Sequence, residues 1–255
     1  MTRDLRTTFD EAAELYDRAR PTYPDALFDD LIELAKLKAR SRVIEIGCGT
    51  GKATLPLAGR GLRVTCVELG PSLAEVARRR LALFPGVEIL NADFETWRPE
   101  RADYDAVVAF TAFHWIPPEL RYLKSASLLR EGGALAVAMT HHVLPDDADP
   151  FFLDSQADHD AVGVGGDPPG PPGSVTGLGA EMEASGLFHL VGERRHQWDV
   201  VYTADEYIDV LSTFSSNIAM EEATRTRLFE LLRARIGNRL LRKTYLATLD
   251  VAVRV

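Results

Sequence analysis

The chain has 255 residues, a formal net charge of -9 and a hydrophobic fraction of 46%, enough for one sizeable core or a core with a cap. The acidic excess argues against a protein that grips nucleic acid by its phosphates, because that grip needs clustered Lys and Arg. Two cysteines, Cys48 and Cys66, make neither a disulfide framework nor a zinc set, no apolar run approaches a membrane span, and the mixed charge of MTRDLRTTFDEAAEL is unlike a secretory leader, so a reducing, cytoplasmic setting with no membrane and no nucleic-acid partner is expected.

In chain order, residues 24–39 read as a helix opened by Pro24, with Leu27, Phe28, Leu31, Ile32, Ala35 and Leu37 at helical spacing. RVIEIG is a short β-branched run and predicts a buried strand. Residues 51–60 predict a short helix limited by Pro56. LRVTCVEL (62–69) predicts the second strand, PSLAEVARRRLAL a helix ending near Pro85-Gly86, VEILNAD (87–93) the third strand and YDAVVAF (104–110) the fourth. Pro117 and Pro118 open a helix through Leu129, ended by Glu131-Gly132-Gly133, and ALAVAMT (134–140) predicts a fifth strand.

The pattern then changes. Residues 141–177 hold two histidines, an acidic cluster and GVGGDPPGPPGSVTG, and read as a mobile loop or lid. GLGAEMEASGLF reads as a helix stopped at Gly186, HLVGERRHQWDVVY as a strand, 204–219 and 221–236 as two helices, and 243–255 as a final strand. Arg225, Arg227, Arg233, Arg235, Arg239, Arg242 and Lys243 read as a solvated helix face. The alternation predicts an α/β fold, a doubly wound, mostly parallel seven-stranded sheet of Rossmann-like type with a partial helical cap. The expected divisions are 1–140 (core with an N-terminal helical lid), 141–237 (lid loop, late core elements and cap helices) and 238–255 (last strand). Ligands in such sheets bind beyond the carboxyl ends of the strands, so the residues after each strand carry the functional reading.

Gly47-Cys48-Gly49-Thr50-Gly51 follows the first strand and opens a helix, a context that brings a ligand close to main-chain amides. A P-loop needs a glycine five residues before its Gly-Lys pair and a hydroxyl after the lysine; Ile46 and Ala53 stand there. A dinucleotide fingerprint needs its third glycine three residues after the second; Lys52 stands there. Both patterns fail.

At this point the sequence resembles class I S-adenosylmethionine-dependent methyltransferases, which carry an acidic residue, one intervening residue and G-x-G-x-G; here these are Glu45, Ile46 and the glycine run. The resemblance lies in the small-molecule branch that includes ubiquinone-biosynthesis-like and trans-aconitate-like enzymes. Y-D-R-A-R-P-T-Y-P (16–24) matches the N-terminal segment of that branch, and LSTFSSNIA resembles a stretch that caps its substrate pocket. The match covers residues 9–140 well and the remainder loosely. It implies S-adenosylmethionine as cofactor, a small-molecule methyl acceptor and a monomer or homodimer. Glu45 would hold the cofactor ammonium, directly or through water. Glu68, followed by Leu69 at the end of the second strand, would accept from the ribose hydroxyls, a feature that also suits a nicotinamide cofactor. Asp93 would take the adenine amino group, with Phe94 donating its backbone amide, although taken by itself Asp93 is better explained as a helix cap or turn. Phe110, Thr111 and Ala112 would flank the methionine portion, Tyr16 and Arg20 would close on it with Arg20 pairing its carboxylate, and Tyr23, His114 and Trp115 would line the acceptor pocket.

In-line methyl transfer depends on positioning and needs a base only for a weakly acidic acceptor. His114 is the candidate base, with packing against the cofactor as the competing role. Cys48 contributes backbone. His141, His142, Asp146, Asp147 and His159 lack compact metal spacing, so no metal is expected. Two other functions compete: a catalytically silent S-adenosylmethionine-binding protein and a nicotinamide-dependent oxidoreductase.

Overall fold

The computed structural model describes residue 10 and residues 12–255; the N-terminal stretch read above as unlike a leader lies largely outside these residues, as does Phe9, where the family resemblance begins. The chain forms two compact units, one of residues 22–140, 176–196 and 247–255, the other of residues up to 21, 141–175 and 197–246.

The first unit holds α2 (Asp25–Leu34), after α1 (Ala13–Ala19) of the second unit, then β1 (Arg42–Ile46), α3 (Thr54–Gly59), β2 (Arg63–Glu68), α4 (Pro71–Arg80), β3 (Val87–Asn91), β4 (Tyr104–Phe110), α5 (Pro118–Leu128) and most of β5 (Leu129–His142). β3, β2, β1, β4 and β5 pair in that order, all parallel. Val43, Ile44, Val64, Val107 and Leu135 are buried, as strands covered on both faces require. Proline opens α4 and α5 in the first turn, where its missing N–H is not needed. Pro56 fits α3 for the same reason.

Several boundaries differ from the sequence reading. α2 stops at Leu34 rather than residue 39 because Lys36 turns left-handed at φ 51°. The Lys36 amide then bonds the Glu33 carbonyl and the Leu37 amide that of Ile32, a Schellman closure with lysine in the usual glycine place. β5 begins at Leu129, so Glu131-Gly132-Gly133 is strand rather than helix end. The register jumps from Tyr104↔Leu129 to Ala106↔Ala134, and the bulge absorbs the glycines.

The remaining elements are α6 (Phe151–Asp154), α7 (Gln156–Ala161), α8 (Gly179–Ala184), β6 (Phe188–Tyr202), α9 (Ala204–Leu211), α10 (Ser215–Ile218), α11 (Glu222–Ile236) and β7 (Leu241–Arg254). β7 and β6 complete a seven-stranded sheet in the order β3-β2-β1-β4-β5-β7-β6. Both run against their neighbours: Val143 bonds the Thr244 carbonyl while Arg254 reaches that of Leu129, and Tyr202 meets Tyr245 while Val255 meets Leu187. β5, β6 and β7 each contribute residues to both units.

In the second unit, the segment read as a loop is substantially ordered. Phe151 and Phe152 are buried and meet edge to face at 5.3 Å. Asp158 of α7 receives two hydrogen bonds from the Arg235 guanidinium of α11. The single helix expected over 204–219 breaks at Ser212–Phe214, and α9 starts with a capping box of Thr203 and Glu206. The basic cluster is not simply solvated. Arg233 pairs with Asp205, Arg239 with Asp149 and Arg242 with Asp147 and Asp199, while Lys243 is buried. Around these pairs Tyr207, Leu228, Leu232, Leu241 and Tyr245 form the core of this unit. No described helix is long and apolar enough to cross a membrane.

Candidate functional site

The carboxyl ends of the parallel strands in the first unit bring together most of the expected cofactor residues. Gly47, Gly49 and Gly51 have φ of 63°, 56° and 82°, backbone that side chains resist. Gly47 also has no room for one: a Cβ there would stand 2.8 Å from the Ala112 Cβ. The loop from β1 therefore lies directly against the loop from β4.

Glu68, at the end of β2, organises this edge. One carboxylate oxygen accepts the Gly49 amide at 2.8 Å and the other accepts the Gly70 amide at 2.8 Å. Asn91, at the end of β3, donates its amide to the Glu68 and Leu69 carbonyls at 3.0 and 2.9 Å, which fixes the β2 exit. Both Glu68 carboxylate oxygens thus tie the β2 exit to the glycine loop and to the turn that follows.

Glu45 is only 1% exposed. Its register partner on β2 is Cys66, whose Sγ approaches the carboxylate at 3.9 Å, and Thr54 hydrogen-bonds it. Burial, with a further contribution from the Glu68 charge, pushes its pKa up to about 7 against the bonds from Thr54 and Cys66. The two acids thus share one edge and repel each other. Cys48 is buried in the glycine loop, and its bond to Cys66, together with burial, drives its thiol pKa well above the ordinary range.

Asp93 follows β3 and caps a turn: its Oδ1 accepts the Glu95 amide at 2.9 Å and its carbonyl the Thr96 and Trp97 amides. Phe94 is buried beside Lys124, whose ammonium is 4.8 Å from the ring centroid. After β4, Thr111 is held left-handed at φ 54°. Its amide bonds the Ala138 carbonyl at 2.7 Å, and its hydroxyl meets Tyr23 Oη at 3.1 Å and the Thr140 amide at 3.3 Å. Tyr23, Phe28 and Phe110 form an aromatic trio with centroids 5.3–6.2 Å apart. His114 is exposed on a one-turn 3₁₀ helix (113–115), its ring 4.7 Å from Trp115.

Tyr16 and Arg20 belong to the second unit. The Arg20 guanidinium bonds Thr213, Nε to Oγ1 at 2.7 Å and Nη2 to the carbonyl at 3.0 Å, and lies 4.1 Å from the Phe214 centroid and 5.2 Å from that of Tyr16. The sequence reading missed Thr54 and Cys66 as supports of Glu45, Asn91 as the β2 clamp, Ala112 as the surface against Gly47, and Lys243. Cys66 carried a signal: two residues before Glu68 on one strand, it shares its face. Among the described residues no cluster of three acids, histidines or cysteines forms a metal site.

The residues present fit an adenosyl sulfonium group: bare main chain at the tip of β1, acids on either side of it and no phosphate cradle. Residues 43–133 match a methyltransferase domain family. A methyltransferase of Mycobacterium tuberculosis is 36% identical over 135 residues, 53% of each chain, so the chain spans about half the length of such curated relatives. A trans-aconitate 2-methyltransferase of Methylobacterium radiotolerans is 32% identical over 178 residues, 69% of this chain and 65% of the relative. A solved structure assigned as a type II methyltransferase from Anaeromyxobacter dehalogenans shares the fold with a TM-score of 0.61 at 24% identity, covering 91% of this chain and 97% of that one. The fold and these matches make the chain similar to the class I S-adenosylmethionine-dependent methyltransferases, with the methyltransferase-domain match lying in residues 43–133.

Proposed function

We propose that the protein transfers a methyl group from S-adenosylmethionine to a small-molecule acceptor at the carboxyl edge of its parallel strands. The observation that carries this reading is the Gly47–Gly51 loop, left-handed at all three glycines and tied through the Gly49 amide to Glu68, with Glu45 beneath it. When bound, S-adenosylmethionine supplies an electrophilic methyl group on a sulfonium centre.

The chain's own residues bind and orient. The glycine loop offers main chain at a distance side chains would prevent. Glu68, held at the β2 exit by the Gly49 and Gly70 amides, accepts from hydroxyls. Glu45 offers an acceptor beneath the loop for a donor of the cofactor, and Asp93 keeps Oδ2 for a donor while Oδ1 holds the turn. Thr111 and Ala112 bring the β4 exit against Gly47, and Tyr23 and Phe110 supply apolar wall. Positioning of this kind lowers the barrier without a covalent enzyme intermediate. His114 is close enough to solvent to exchange protons and serves as base where the acceptor is a weak acid; a carboxylate acceptor needs none. The name of the trans-aconitate relative supports an acceptor of metabolite size.

The test is calorimetric titration with S-adenosylmethionine, followed by mass spectrometry of small-molecule extract incubated with the protein and isotope-labelled cofactor. Saturable binding and a labelled product are expected; absent binding overturns the proposal. His114→Ala separates the two histidine roles: a base loses turnover with binding intact, a packing residue loses both or neither.

A further inference from the structure

Lys124 is a buried cation of the first unit, and methyl transfer as described gives it no task. It lies on α5 and is 7% exposed. Its ammonium donates to the Trp97 carbonyl at 2.6 Å and stands 4.8 Å from the centroid of the Phe94 ring. The charged groups facing it are Arg98, Asp93 and Glu95, all in the segment that follows β3. Burial first, and the Arg98 charge second, bring Lys124 down to about 8 against the pull of the two acids. An apolar side chain of similar length would fill this place without the cost of burying a charge, so stability alone does not account for an ammonium here.

What the ammonium holds is a turn with two open valences. Asp93 Oδ1 accepts the Glu95 amide, and the Asp93 carbonyl accepts the Thr96 and Trp97 amides, so the turn closes on itself as far as Trp97. The Trp97 carbonyl then ties it to α5 through Lys124, while Arg98 donates to the same carbonyl at 2.9 Å from the exposed side. Among the described residues, neither the Phe94 amide nor Asp93 Oδ2 takes part in a hydrogen bond. An N–H donor and a carboxylate acceptor on successive residues match a base edge that sets a ring-nitrogen acceptor beside an amino donor, the pattern of adenine. The Phe94 ring fixes the residue that carries the donor, and Lys124 lies over that ring. One ammonium therefore restrains both the start and the exit of the turn.

We propose that Lys124 is a positioning residue for adenine recognition: by binding the Trp97 carbonyl and the Phe94 ring together, it holds the Phe94 amide and Asp93 Oδ2 at the spacing the cofactor's adenine requires. The proposal deepens the methyl-transfer reading and rests on it.

The test is calorimetric titration of the full chain with S-adenosylhomocysteine and with its plain-purine analogue, which lacks only the 6-amino group, at pH 7 and pH 9.5. The two ligands share the one amino group that titrates in this range, so the ratio of their affinities reports the 6-amino contact. At pH 7 the unaltered chain should prefer the adenine form by roughly tenfold or more. Lys124→Met keeps the stem and removes the charge; it should weaken S-adenosylhomocysteine roughly fivefold and the purine analogue less than about twofold, so the preference shrinks. At pH 9.5, where Lys124 is neutral, the preference of the unaltered chain should fall roughly threefold while that of the variant stays constant. The pH arm needs no substitution and decides the matter even where Lys124→Met does not fold. Equal weakening of both ligands in Lys124→Met gives Lys124 a purely structural role and overturns the proposal, as does a preference that is the same at both pH values. Binding of S-adenosylhomocysteine with no preference over the purine analogue takes adenine away from this turn and overturns the proposal, while the methyl-transfer reading stands. Failure of the unaltered chain to bind either ligand brings down both.

Discussion

Each unit buries a charge that has no ion-pair partner among the described residues, an acid at Glu45 and an ammonium at Lys243, and the two meet it by different means. In the first, Glu45 and Glu68 stand at the ends of adjacent parallel strands, and their oxygens are met by backbone amides, a threonine and a thiol. In the second, Lys243 and Arg20 are met by aromatic faces and one threonine. Hydrogen-bond donors can fully satisfy a carboxylate, whereas ring quadrupoles only partly replace the water an ammonium loses. The first arrangement is therefore held by donors the chain supplies, although burial and the Glu68 charge still raise Glu45, and the second leaves an ammonium short of the water it lost.

The two also impose opposite pH slopes on stability, which gives the sharpest test. For Lys243 the folded pKa of about 7 lies below the ordinary 10.5. Between those values the unfolded chain binds more protons, so stability rises with pH across this window, and the penalty is fully present below pH 7. Lys243→Met should therefore raise stability at pH 6 by up to about 4 kcal/mol, with the gain fading toward pH 10; urea unfolding over that range reads it. A loss of stability at pH 6 would show that the ammonium holds the aromatic core together. For Glu45 the folded pKa of about 7 lies above the ordinary 4.5. The native state binds more protons between them, so stability falls as pH rises, and the penalty is full above pH 7. Glu45→Gln should stabilise by about 3 kcal/mol at pH 8 and by nothing at pH 4. A gain of equal size at both ends would detach the effect from Glu45 titration.

The same contrast explains what the sequence revealed. The parallel strands, the glycine loop and the acids after β1 and β2 were legible because each is local: an apolar run, a spacing, a residue at a strand end. Asp93 was legible in both of its readings, and the structure supplies the turn it caps without removing the other. The second unit was less so. Phe151-Phe152 anchors the segment read as a loop, but two aromatic residues among prolines and acids carry no periodicity. Lys243 looked like the end of a basic helix face because Arg233, Arg235, Arg239 and Arg242 before it find acids at separations of 28 to 95 residues, pairings that no local pattern reveals. Lys36 in a left-handed turn shortened α2 for a similar reason, since glycine is the usual signal there.

Within the glycine loop, space and backbone conformation can be separated. Gly47→Ala meets both a positive φ and the Ala112 Cβ, and should cost about 3 kcal/mol and lose cofactor binding. Gly61→Ala has an even larger φ of 81° but only ordinary contact, 3.7 Å from the Ala39 Cβ, and should cost about 1–2 kcal/mol with cofactor affinity unchanged. Equal losses in thermal unfolding would deny the close approach of the β1 and β4 loops any role. Glu68→Ala removes the bonds to Gly49 and Gly70 and should weaken S-adenosylmethionine by about 1–3 kcal/mol in calorimetry; unchanged affinity would move the ribose site elsewhere.

Thr111 gives the smallest expected effect on stability and the finest discrimination. A β-branched residue at φ 54° carries strain on the order of 1–2 kcal/mol, and Thr111→Gly relieves it. The same change removes the hydroxyl that meets Tyr23 and the Thr140 amide, each bond contributing about 0.5–1.5 kcal/mol. The two effects nearly cancel, so unfolding free energy should move by less than about 1 kcal/mol. Cofactor affinity should nevertheless fall, because Tyr23 loses its anchor beside Phe110 and the β4 exit loses its fixed approach to Gly47. If affinity holds while stability rises, the strain at Thr111 is an incidental cost of the chain's path. If affinity falls at constant stability, the left-handed threonine is held there to fix the wall of the site.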